Sequence, residues 1–136
     1  MRYSGAMSTL RPLLSCIVLP LVLMALGACS TQIELRTAAQ QEQFARESAS
    51  RGDWAQAMRN YEDAADNAEL GHGDAAWQAR LHHEAGRAAS AACRDDAAQF
   101  HFRRAIALAK QASTSSALSE KALESLQAGK PCGVPR

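Results

Sequence analysis

The chain has 136 residues, of which 15 are basic and 14 acidic, and its formal net charge is +1. That near balance excludes a general electrostatic attraction to nucleic acid or to an acidic membrane, so no nucleic acid is expected as a partner. The charges are nonetheless unevenly placed: no acidic residue precedes Glu34, and the basic residues before it are Arg2 and Arg11.

Arg2 and Arg11 introduce an apolar segment from Leu13 to Leu26, 14 residues long and interrupted by Pro20, which ends on Gly27 and Ala28. A positive start, an apolar centre and a small-residue end form the anatomy of an export signal. A helix that crosses a bilayer needs about 20 apolar residues, so this segment is too short for a lasting span and is expected to be cleaved. Its end, Leu26-Gly27-Ala28-Cys29, resembles the lipobox of bacterial lipoproteins. The resemblance implies that lipid is attached to the Cys29 sulfur, that residues 1–28 are removed, and that the new amino terminus is acylated. Several acyl chains hold a protein firmly where one holds it marginally. Ser30 after the cysteine, rather than Asp, implies by the same resemblance an outer-membrane lipoprotein facing the periplasm. An ordinary export signal with a chance cysteine is the other reading.

The 136 residues less the 28 of the signal leave 108, with 13 basic and 14 acidic residues and a net charge of −1. That length suits one domain. Alanine supplies 26 of these residues, and Ile33, Ile106 and Val134 are their aliphatic β-branched residues, so strands are disfavoured and the fold class is all-α.

Residues 29–36 are expected to form a lipidated tether, followed by a helical domain over 37–129 and a tail at 130–136. A first helix runs from Thr37 to Ser50. Arg51-Gly52-Asp53 breaks it, and Asp53 caps a second helix reaching Leu70, with Gln56 completing a capping-box pattern. Gly71-His72-Gly73-Asp74 is a loop. A third helix spans Ala75 to Ala92, Cys93-Arg94-Asp95 turns the chain, and Asp95 or Asp96 caps a fourth helix ending at Ala112. After Thr114-Ser115-Ser116, a short fifth helix presents Leu118, Ala122, Leu123 and Leu126 on one face and stops at Gly129 and Pro131.

Two of these helices share a pattern: Ala57, Tyr61 and Ala64 recur as Ala98, Phe102 and Ala105, and Ala45 is matched by Gly86. An aromatic beside small residues is the packing logic of crossing helices. The stretch RGDWAQAMRNYEDAA is similar to the second half of a tetratricopeptide repeat, in which a Gly-Asp-aromatic turn leads into a small–aromatic–small helix. Where that family has an aromatic on its first helix, this chain has Gln41 and His82. The resemblance, covering residues 38–112, implies a tetratricopeptide-like stack of two helical hairpins. Two repeats bury little core, so the fifth helix is expected to cover the open end.

With Cys16 removed and Cys29 acylated, Cys93 and Cys132 remain in an exported, oxidising compartment. Helix four leads away from Cys93 and helix five returns, so a Cys93–Cys132 disulfide is expected, two unpaired thiols being the alternative. Closing a loop of about 40 residues contributes on the order of 3–4 kcal/mol. His72, His82, His83 and His101 lack the i, i+4 spacing of a helical zinc pair, and His82 and His101 meeting across helices would still lack a third ligand. No nucleophile elbow or phosphate loop occurs, so no metal, cofactor or enzymatic activity is expected.

In tetratricopeptide proteins the first helix of each pair lines a groove that holds a peptide or partner helix. By register the resemblance places Glu42, Arg46, Arg80, His83, Arg87 and Ser90 there. This stripe is basic, and guanidinium forks bind carboxylates in pairs, so an acidic peptide or an envelope protein is the expected partner. Charges at this spacing also mark any solvated helix face. Trp54 and Tyr61 are expected in the core. The chain is thus expected to be a scaffold or adaptor of the envelope, similar in role to assembly factors or pilotins. An oligomerising spacer lipoprotein is the alternative, and a metal-dependent enzyme using His82 and His101 the third reading.

Overall fold

A computed structural model describes the backbone of residues 10–129 and the side chains of residues 30–129. The side chains of Cys16 and Cys29 lie outside what is described, as do Cys132 and the rest of the 130–136 tail.

Five helices follow one another among the described residues: α1 (Leu10–Ser50), α2 (Trp54–Leu70), α3 (Ala75–Ala91), α4 (Asp95–Gln111) and α5 (Ala117–Gln127). They pack as neighbours, α1 on α2, α2 on α3, α3 on α4 and α4 on α5. The result is the all-α stack of two hairpins and a closing helix that the sequence predicts.

Each turn between helices uses one device. Gly52, His72, Cys93 and Ser113 have left-handed backbones, with φ of 76°, 54°, 62° and 54°. The next amide then reaches back five residues: Asp53 to the Ser48 carbonyl, Gly73 to Ala68, Arg94 to Ala89 and Thr114 to Ala109, at 2.7–3.0 Å. This closing motif satisfies carbonyls that a helix end leaves unpaired. The repeat is therefore geometrical as well as sequential. The ends of α2 and α4 differ by 41 residues, as do the ends of α1 and α3 at Ser50 and Ala91 and the left-handed pairs Gly52/Cys93 and His72/Ser113.

The core is built mainly from alanine, with Met58, Tyr61, Leu81, Phe102 and Leu126 filling between. Tyr61 and Phe102 occupy equivalent buried positions, flanked by buried Ala57 and Ala64 and by Ala98 and Ala105. Gly86 on α3 has a structural reason: a Cβ there would lie 2.7 Å from the Phe102 ring.

Several expectations need correction. Residues 30–36 are a continuous part of α1 rather than a tether. Leu35 and the Thr31 carbonyl pack so closely on the turn after α2 that a Cβ on Gly71 would lie 2.9 Å from Leu35 and 3.0 Å from that carbonyl. Trp54 is 38% exposed and lies outside the core, because it starts α2 at the edge of the stack. Leu118 is exposed, whereas Ala122, Leu123 and Leu126 pack inward. The capping box half-forms. Asp53 accepts from the Gln56 amide, but the Asp53 amide already bonds to Ser48, so the Gln56 side chain turns to Asn60 instead. At α4, Arg94 holds the capping position without a side-chain cap bond, while Asp95 and Asp96 lie in the first turn, where their charge suits the helix dipole.

Gly86→Ala should lower the urea midpoint, because overpacking costs about 1–3 kcal/mol and helix propensity returns about 1. In a Phe102→Leu background, where the ring is gone, the same substitution should become neutral or stabilising.

Candidate functional site

The six residues expected to line one groove divide into three groups. Glu42 is buried between α1 and α3, 8% exposed, and collects the neighbouring donors. Trp77 donates its indole N–H to Oε2 at 2.8 Å, Arg80 approaches Oε1 at 3.2 Å, and Arg46 pairs with Oε1 from the next turn of α1. Glu42 is therefore the polar hub joining the two hairpins rather than a contact residue. Its register one turn below Arg46 is visible in the sequence, but its partner Trp77 comes from 35 residues away.

Arg46, Arg80 and Arg87 form the second group, with side-chain exposures of 63%, 57% and 59%. Arg87 pairs with Glu84 at 3.0 Å. The stripe is less basic than the sequence suggested, since Glu42 and Glu84 answer three guanidiniums and leave one net positive charge. Tyr61 is buried within reach of the charges on Arg46, Arg87, Glu42 and Glu84, and burial, followed by the Glu84 carboxylate, raises its pKa above the ordinary phenol range.

His83 and Ser90 are withdrawn from the expected groove. His83 Nδ1 lies 2.9 Å from Ser119 Oγ on α5, and its ring tilts against Phe102 with centroids 5.7 Å apart. Ser90 is buried. The fifth helix covers this part of α3, which leaves Arg46, Arg80 and Arg87 as the accessible set.

His82 and His101 do meet, as the register allowed. Their Nδ1 atoms are 3.1 Å apart, and His101 Nε2 lies 2.9 Å from Glu62 Oε1 on α2. A carboxylate can only accept, so His101 carries its proton on Nε2. In the neutral pair His101 Nδ1 then accepts from the His82 Nδ1–H. Two nitrogens aimed at each other leave no space for a cation between them, and among the described residues no cluster of three or more His, Cys, Asp or Glu side chains is arranged to hold a metal. The linked side chains join α2, α3 and α4 as a buried polar seam. Burial lowers the His82 pKa to about 4, with His101 and Arg104 adding to the effect, and burial also lowers that of His83.

Cys93 is disulfide-bonded. Its partner and the expected Cys132 lie outside the described residues.

Two outcomes follow for stability. Above about pH 6.5 His82 is neutral in both folded and unfolded chains and contributes no pH dependence. Between pH 6.5 and about 4 only the unfolded chain gains the proton, so stability falls as pH falls, by an amount on the order of 3 kcal/mol. Urea unfolding at pH 7.5 and pH 5 should show about 2 kcal/mol of this loss, since pH 5 lies about 1.5 pH units below 6.5, and His82→Gln should flatten it. Glu42→Ala leaves the partly buried Trp77 donor unpaired and should cost about 1–3 kcal/mol, read from the same unfolding curves.

Compared with known proteins, the chain matches no family model, no curated protein and no solved structure.

Proposed function

We propose that this protein is a lipoprotein of the bacterial envelope, held by acylated Cys29 in the outer membrane and facing the periplasm, whose helical stack is a scaffold for another envelope protein rather than an enzyme. The observation that carries the reading is the exposed arginine set, Arg46, Arg80 and Arg87, on the first helices of two consecutive hairpins. A surface of guanidiniums, partly satisfied by Glu42 and Glu84, suits a partner that brings its own carboxylates to the open side of each fork.

The 41-residue recurrence of helix ends, left-handed closures and buried aromatics supports a tetratricopeptide-like repeat, longer than the usual period of about 34. Cys132 is the proposed partner of Cys93. Helix α5 runs back toward the end of the stack where Cys93 closes α3, and Gly129 terminates that run.

Crosslinking in intact cells provides the test. Capture of an envelope protein should fall about tenfold in an Arg80→Gln/Arg87→Gln variant, the scale of two exposed charge pairs, with helical content by circular dichroism retained and the thermal midpoint lowered only by the loss of the Arg80–Glu42 and Arg87–Glu84 pairs. Equal capture by the variant would overturn the role of this surface. Self-association of the extracted protein in sedimentation would favour a spacer role in its place.

A further inference from the structure

The end of the stack nearest Cys29 has no slack. Helix α1 runs without a break from the apolar N-terminal segment, through residue 29, into the body of the fold. Leu35 and the Thr31 carbonyl are pressed against the turn at Gly71 and Gly73, so the fold begins within two residues of the acylation position. At 1.5 Å per residue, Ile33 stands about 6 Å and Leu35 about 9 Å along the axis from Cys29. The polar layer on each side of a bilayer is about 5–8 Å thick. A chain held at this end with α1 along the membrane normal has Ile33 within the headgroup layer and Leu35 just beyond its outer edge.

Two large aliphatic side chains are exposed at that height. Ile33 is 62% exposed on α1, and Leu70 is 66% exposed on the last residue of α2, beside the turn that Leu35 contacts. Single exposed aliphatics are ordinary on any protein surface. What separates this pair is its fixed distance from the anchor, which makes lipid its nearest available neighbour. The exposed Arg36 and His72 lie at the same end and can meet headgroup phosphates.

We propose that the end of the stack formed by the 71–74 turn and the first turns of α1 after Cys29 rests on the bilayer surface, with Ile33 and Leu70 in the headgroup layer and the helix axes roughly along the membrane normal. The proposal rests on membrane attachment at the N-terminal side, through lipid on Cys29 or through the apolar run itself. It fixes where a partner must approach. Arg46, 17 residues beyond Cys29, stands about 25 Å along α1, so the arginine surface faces sideways, well clear of the headgroups.

The test places p-benzoylphenylalanine, one position at a time, at Ile33, Leu70 or Ala55 of the full chain expressed in its envelope. Ala55 is exposed near the start of α2, about 22 Å from Leu70 along the helix. After irradiation, lipid adducts are read by mass spectrometry. Adducts at positions 33 and 70 with none at 55 are expected. A membrane-bound chain that forms no lipid adduct at 33 and 70, or forms them equally at 55, overturns the orientation while leaving the attachment intact. A chain recovered entirely in the soluble fraction overturns both.

Discussion

The stack depends on an aromatic ring lying against a helix that offers no side chain to obstruct it. Phe102 of α4 rests on Gly86 of α3 so closely that one methyl group would collide with the ring. Tyr61 holds the equivalent sequence position one repeat earlier and shares a buried cluster with Ala45, the residue that matches Gly86. The remaining core is largely alanine, which lets helix axes approach but buries little apolar area per residue. Shape alone specifies such a core weakly, and the two aromatics supply most of the bulk that fixes how the hairpins sit.

Polar contacts between helices complete the specification. Glu42 ties α1 to α3 through Trp77 and Arg80, while Glu62, His101 and His82 link α2, α4 and α3 in one seam. A buried donor or acceptor without its partner costs more than the bond itself contributes, so these groups penalise any slip of one helix along another. The same seam makes the fold sensitive to acid, because burial disfavours a charge on His82, and His101 and Arg104 add to the effect. The proposed partner surface is what remains once those contacts are made. Arginines that serve Glu42 and Glu84 on their inner side still present the outer side of each fork to solvent.

Much of the fold was legible in the sequence. Helix boundaries after residue 50 follow Gly52, the Gly71–Asp74 loop and the Cys93 turn, and the Ala-aromatic-Ala spacing marked the repeat that the helix ends obey. What escaped was whatever depends on partners distant along the chain. Glu42 has the spacing of a solvated surface charge, and only the arrival of Trp77 and Arg80 makes it an interior hub. His83 was placed in the groove by register and is withdrawn from it by Ser119 on the closing helix. Residues 30–36 carry the polar composition of a tether yet remain helical, because Leu35 finds a seat against two glycines that no local pattern announces.

The proposed membrane attachment through Cys29 would give the remaining features their setting: the closed start of the fold, the disulfide at Cys93 and an arginine surface facing sideways. Intact mass spectrometry of the membrane-extracted protein under non-reducing conditions, comparing wild type with Cys29→Ser, tests it most directly. The account predicts a chain that begins at Cys29, carries three acyl groups and holds Cys93 and Cys132 oxidised, and a Cys29→Ser product that lacks the lipid. A wild-type protein recovered soluble and unacylated, with or without its first 28 residues, would contradict it.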